Sequence, residues 1–141
     1  MRTPFTIQET PVTEALTNQL YEGFRQHAIE VVGHDNELKR FCYTATHDGT
    51  FAGAIIFHLV WETVQIRQLF IEAPFRKQGL GTILMNMALN VGKEADCRVA
   101  FVETMSFQAK AFYEQLGFTL EYSRSGFANN FQLHLLKKDP L

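Results

Sequence analysis

The segment Pro74-Phe75-Arg76-Lys77-Gln78-Gly79-Leu80-Gly81-Thr82 sets cations and glycines at the junction between a strand-like run and an amphipathic helix. The first turn of a helix leaves backbone N–H groups unpaired and carries about half a positive charge, which favours an anion. Gly79 and Gly81 remove side chains that would block close approach, and Arg76 and Lys77 add full positive charge. Phosphate is the natural guest of such a cradle. A dinucleotide fingerprint would need a third glycine where Leu84 stands, and the Gly-Lys-Ser/Thr of a Walker loop is absent. The competing reading is a tight turn with no ligand.

The elements on either side of the cradle follow from periodicity. Val64 to Ile71 is rich in β-branched and aromatic residues and stops at Ala73-Pro74, which predicts a strand. Leu80, Ile83, Leu84, Met87, Ala88 and Val91 form one stripe of a 3.6-residue period, a helix expected to close at Gly92.

Further along, Ala109-x-x-Phe112-Tyr113-Glu114-x-Leu116-Gly117-Phe118 places a tyrosine on a short helix that stops at a glycine. Together with Arg76-x-x-Gly79-x-Gly81, this stretch resembles the GNAT superfamily of N-acetyltransferases, which bind acetyl-coenzyme A. The resemblance runs over nearly the whole chain and is strongest from Gly53 to Gly117. It implies the GNAT α/β fold, a mixed six- to seven-stranded sheet with splayed parallel strands 4 and 5, flanked by about four helices.

What the resemblance implies for the site can be carried over residue by residue. Arg76, Lys77, Gln78, Gly79, Leu80, Gly81 and Thr82 would hold the coenzyme pyrophosphate. Leu69, Phe70 and Ile71 would lie along the pantetheine arm, with the Leu69 N–H toward the thioester carbonyl. Tyr113 would protonate the departing thiolate; the alternative is a core tyrosine satisfied by backbone. Phe112 reads as core.

Two positions depart from the family pattern. Gln65 stands where some members carry a glutamate on the fourth strand, so Glu103 is the substitute candidate for the base, ahead of Glu62, Glu72 or an ordered water. A base is needed because freeing an alkylamine at neutral pH costs roughly 4 kcal/mol. Ser106 stands where many members have an asparagine, and Ser106 and Gln108 are expected to contact the coenzyme while Ser106 caps the following helix. Phe57, His58, Trp61 and the segment Phe24 to His34 are candidates for the acceptor side, with ordinary core or surface roles as the alternative.

The remaining elements are read from local signals. Phe5 to Gln8 is expected as a short strand, followed by a helix capped at Thr10-Pro11 whose Val12, Leu16, Leu20 and Phe24 face the core. Gln26 to Lys39 breaks at Gly33-His34-Asp35-Asn36 and is expected to hold a second short helix or a loop. Phe41 to Thr46 and Phe51 to Trp61 flank the Asp48-Gly49 turn of a hairpin, and a turn near Glu62-Thr63 leads to the Val64 strand. Arg98 to Thr104, parallel to the Val64 strand, Phe118 to Tyr122 and Phe131 to Leu136 complete the sheet. In the last, Phe131, Leu133 and Leu135 are expected to alternate inward against Gln132 and His134.

Bulk properties narrow the class. A chain of 141 residues suits one domain, 1–141, that buries roughly two thirds of its unfolded surface. Its net charge of −2, without a basic run, disfavours nucleic acid. No apolar stretch is long enough to span a bilayer, so no membrane partner and a cytoplasmic location are expected. Cys42 and Cys97 are isolated and the histidines lack ligand spacing, so no metal is expected. The resemblance implies an acetyl-CoA-dependent enzyme with a small-molecule or peptide amine as acceptor. The last strand or another sheet edge offers a surface for a homodimer. The rival classes are a catalytically silent CoA-binding module or sensor and an interaction domain.

Overall fold

The computed structural model describes residues 4–141. They fall into two compact units, one ending at Glu37 and one running Leu38–Leu141.

In the first unit residues 5–8 form no strand. Its helix α1 spans Glu14–Val32 and begins later than Thr10-Pro11 suggests. The cap is Thr13, whose hydroxyl accepts the Leu16 N–H at 3.1 Å. The helix runs unbroken through the polar stretch after Gln26 and ends at Gly33, whose N–H reaches the Ile29 carbonyl at 2.9 Å. No second helix follows. Arg25 binds Glu22 at 2.8 Å and Asp35 at 2.6 Å, tying the helix to the loop behind its cap. Contrary to expectation no residue of α1 is buried, and Leu16, Leu20 and Phe24 are exposed. The first unit holds no second element, among the described residues, to cover that ridge.

The second unit is a six-stranded mixed sheet with strands β1 (Lys39–His47), β2 (Thr50–Val60), β3 (Thr63–Ile71), β4 (Val99–Met105), β5 (Thr119–Arg124) and β6 (Leu133–Lys138). The order is β1-β2-β3-β4-β6-β5. Asp48-Gly49 makes the first hairpin turn with positive φ at both residues, as that dipeptide favours. Trp61-Glu62 makes the second in the same left-handed conformation without a glycine. Thr63 steadies it by donating its hydroxyl to the Val60 carbonyl at 2.7 Å.

Helix α2 (Leu80–Glu94) crosses from β3 to β4, which makes that strand pair parallel. Its buried face is Leu84, Met85, Ala88, Leu89 and Gly92, rotated from the predicted stripe, and Ile83 and Met87 are exposed. Gly92 is not a cap. It lies inside the helix against Val64, and the helix ends two residues on, at Glu94.

The core joins this face to Ile55, Phe57, Leu59, Val64 and Ile66, with Ala100, Val102, Tyr113, Phe118 and Leu136. Helix α3 (Lys110–Gln115) follows β4. In β6 the inward parity is the reverse of the expected one, with His134 8% and Leu136 1% exposed while Leu133 and Leu135 are half-buried. Burying His134 is possible because its Nδ1 shares a 2.7 Å hydrogen bond with the Ser123 hydroxyl on β5.

Candidate functional site

The parallel ladder between β3 and β4 is short. It begins at Thr63↔Val99 and stops at Ile66↔Val102, although β3 continues to Ile71 and β4 to Met105. On the other side of β3, Phe57 pairs with Ile66 and Ile56 with Gln68, so Arg67 is a bulge residue. A bulge adds twist and swaps which side chains face inward. Val64 and Ile66 point into the core before it, and Leu69 and Ile71 join the core after it. The two strands part at the bulge, which opens a V with unshared backbone on the β3 side.

Beyond β3 a 3₁₀ turn, Ala73–Phe75, leads to the cradle. Arg76 donates its Nε–H to the Ile71 carbonyl at 2.8 Å, and its guanidinium lies 5.5 Å from the Phe70 ring centroid. Gln78 is tied back to the Pro74 carbonyl at 3.2 Å. Lys77 and Gly79 both hold positive φ, a backbone shape that turns successive N–H groups toward one point. Gly79 caps α2, and the first helical bond is Ile83 N–H to the Gly79 carbonyl at 3.0 Å. The N–H groups of Leu80, Gly81 and Thr82 therefore have no helical acceptor. A Cβ on Gly81 would sit 3.2 Å from Phe112 Cζ, so a side chain there would crowd the ring.

These elements line one cleft of about 800 Å³. It gathers Leu69, Phe70, Ile71, Arg76, Lys77, Gly79, Leu80, Gly81 and Thr82 from one side and Gln108, Phe112 and Tyr113 from the other. Gln78 and Ser106 do not line it. Ser106 does not cap a helix either. Its hydroxyl accepts the Gln132 N–H at 3.0 Å and its N–H reaches the Gln132 carbonyl at 2.8 Å, which fastens the end of β4 to the approach of β6. Helix α3 starts only at Lys110, and the N–H of its cap residue Ala109 goes to the Thr104 hydroxyl at 3.2 Å. Gln108 Oε1 accepts the Met105 N–H at 2.8 Å, so its amide carbonyl is engaged with the end of β4.

Tyr113 is 6% exposed and sits edge-on between Phe112 and Phe118. No hydrogen bond is made by its hydroxyl among the described residues, and no fully buried polar side-chain atom is left without a partner. The hydroxyl therefore reaches the cleft instead of being satisfied by backbone. Burial pushes its pKa above the ordinary 10.0 and keeps it a proton donor. Phe112 is half-buried and forms part of the cleft wall as well as the edge of the core.

Glu103 is exposed and lines a second cavity of about 320 Å³ that opens off the splay and is also lined by Leu69, Phe70 and Tyr113. Gln65 lies further down, with Glu103, on a cavity of about 230 Å³. Glu62 is at a turn tip, and Glu72 follows β3, with its N–H bonded to the Ala52 carbonyl at 2.8 Å. Two acceptor-side candidates lie elsewhere. Phe57 is fully buried between Phe41 and Tyr43, and Trp61 is at the turn that opens β3, the end opposite the splay. No group of three or more His, Cys, Asp or Glu side chains among the described residues is placed to hold a metal ion. No helix among them is long and apolar enough to cross a membrane.

A parallel strand pair that parts at a bulge, with a glycine cradle beyond it, is the α/β architecture that the sequence resemblance implies. The chain belongs to the acetyltransferase (GNAT) family, whose model matches residues 8–118. A blasticidin-S acetyltransferase of Streptomyces morookaense is 32% identical over 98 residues, 69% of this chain and 72% of the relative. An N-alpha-acetyltransferase 30 of Dictyostelium discoideum is 30% identical over 90 residues, and that match spans only 49% of the relative. Among solved structures, an Agrobacterium tumefaciens protein assigned as an acetyltransferase superposes with TM-score 0.83 at 20% identity, over 97% of this chain and 99% of its own. A Bacillus anthracis protein assigned as a streptothricin acetyltransferase, in complex with acetyl coenzyme A, gives TM-score 0.65 at 20% identity, over 78% and 66%.

Proposed function

We propose that the chain is one N-acetyltransferase domain, acting in the cytoplasm, that moves acetyl from acetyl-coenzyme A directly to a primary amine. The observation that carries this reading is the single cleft joining the free N–H groups of Leu80, Gly81 and Thr82 to the Tyr113 hydroxyl by way of Leu69 to Ile71. It suits a ligand with a pyrophosphate at one end and a reactive group at the other, a description that acetyl coenzyme A, the ligand named for the Bacillus anthracis protein, meets.

The coenzyme supplies an activated acetyl group as a thioester. The residues 76–82 hold its pyrophosphate through backbone N–H groups and the charges of Arg76 and Lys77. Leu69, Phe70 and Ile71 offer strand backbone that β4 does not take, as an added strand would use it. Ser106 and Gln108 support the far lip, Gln108 with its remaining amide N–H₂. Glu103 takes a proton from the acceptor's ammonium, directly or through water, and leaves the neutral amine to attack the thioester carbonyl. The new C–N bond forms as the C–S bond breaks, and Tyr113 delivers its proton to the leaving sulfur. The nitrogen sheds its second proton as the amide forms, and through water that proton restores Tyr113, while Glu103 gives up the first to solvent, so the balance is amide, free thiol and one released proton.

The test is thermal unfolding with and without acetyl-coenzyme A, followed by thiol release across amines. At 100 times its dissociation constant the ligand adds about 2.7 kcal/mol of stability. Stabilisation with turnover supports the reading. Stabilisation without turnover for any amine favours the silent coenzyme-binding module, a reading that Gln65 at the glutamate position supports.

A further inference from the structure

Arg67 and Glu103 are the residues that follow the last rung of the β3–β4 ladder, Ile66↔Val102. Both are exposed, and among the described residues neither side chain makes a hydrogen bond or an ion pair, with the other or with any other group. Both line the two small cavities, of about 230 and 320 Å³, that open off the splay.

The Arg67 side of the opening is positive. Arg40, His58 and Gln65 are register partners on β1, β2 and β3, which sets Arg40 and His58 beside the strand that carries Arg67. Burial first, then the charges of Arg67 and Arg40, hold the His58 imidazole below its ordinary 6.5, so it adds no proton of its own at neutral pH. Glu103 is the carboxylate that faces it from β4. Charges of opposite sign that flank a cavity without neutralising each other complement a ligand with the reverse pattern.

Building on the acetyltransferase reading above, we propose that the acceptor is a small zwitterion, a primary amine that also carries an anionic group. Glu103 meets the ammonium, and the Arg67 guanidinium takes the anion in a forked pair of hydrogen bonds. A carboxylate and a phosphate monoester offer the fork the same chemistry. A polyamine would set a second cation against Arg67, and a plain alkylamine would leave Arg67 unanswered.

The experiment compares kcat/KM within matched pairs: β-alanine and its amide, γ-aminobutyrate and its amide, O-phosphoethanolamine and ethanolamine. Each pair is run with the wild-type protein, Arg67→Gln and Arg67→Lys. Comparing the acid-to-neutral ratio between proteins cancels the intrinsic reactivity of each amine. The ratio should favour an acid in the wild type and fall at least about ten-fold in Arg67→Gln, as for a lost charge-assisted contact. Arg67→Lys should restore part of it. The pair that responds tells carboxylate from phosphate, and a ratio unchanged by Arg67→Gln overturns the proposal. If acetyl-coenzyme A stabilises the protein but no amine is acetylated, the proposed activity fails on its own. Calorimetric titration of the same acids with coenzyme A present then decides the matter: binding lost in Arg67→Gln supports the inference, and absent or equal binding overturns it.

Discussion

Ile66 and Val102 are the last residues that β3 and β4 pair, and the bulge at Arg67 begins at the next position of β3. The coincidence has a mechanical reason. The extra residue twists β3 away from β4 while β2 stays bonded to it as far as Gly53↔Ile71. One side of β3 is thus left without a strand partner along the segment that leads to the cradle, and Tyr113 sits across the gap.

Tyr113→Phe should lower kcat by about 10²- to 10⁴-fold, the usual contribution of a positioned acid. The change removes only the hydroxyl, which makes no hydrogen bond among the described residues, so folding and the acetyl-coenzyme A stabilisation should be nearly kept. Unchanged turnover would remove the acid role. Loss of both turnover and coenzyme binding would make Tyr113 a structural residue.

Gly81→Ala places a Cβ 3.2 Å from Phe112 Cζ, a contact that a small ring movement can relieve. Gly81→Leu cannot be relieved that way and also covers the N–H groups of the first turn. Thermal shifts with acetyl-coenzyme A should therefore shrink in the alanine variant and vanish in the leucine variant. A full shift with leucine would show that the ligand does not approach this turn.

Features dictated by local chemistry are legible in the sequence. Asp48-Gly49 can be read as a turn because that dipeptide takes left-handed backbone readily, and Arg76, Gly79 and Gly81 stand out as a cradle because few other roles need that combination. The parallel β3–β4 pair follows from the helix between them. Features set by distant partners are not. His134 reads as an outward residue until Ser123 on β5 provides its hydrogen bond. Ser106 reads as a cap, but its partner is Gln132, on a segment the sequence does not bring near it. The bulge leaves one trace, the change of parity between Val64 and Ile66 and then Leu69 and Ile71, and a strict two-residue period passes over it. In α2 the predicted stripe misses by one position because Val64 and its neighbours, rather than periodicity, select the face containing Gly92.

That close approach makes Gly92→Ala destabilising. The added methyl would collide with Val64 Cγ2, in a region where Leu141 and Cys97 also lie near. Overpacking of this kind costs about 1–3 kcal/mol, more than the gain expected from alanine's better helix propensity. Val64→Ala alone should also destabilise, but in the double variant the two effects should offset in part. Urea denaturation of all four proteins measures the coupling. Strictly additive losses would mean that Val64 is not what holds the place of Gly92.

His58 should make stability fall on the acid side. Burial is the first cause of its lowered pKa, followed by Arg67 and Arg40, so the folded chain resists taking up the proton that the unfolded chain accepts near 6.5. The unfolded state then binds more protons below that pH, and stability rises with pH through this window. The contribution is present above 6.5 and is lost as pH falls through the folded-state pKa. Urea midpoints across the window should drop less on acidification in His58→Gln than in the wild type. Because Arg67 is only the second cause, Arg67→Gln should move the imidazole part of the way back toward its ordinary value, which the His58 ring-proton shifts read directly by NMR. A wild-type imidazole that titrates at 6.5 would remove both the burial and the positive field inferred around it.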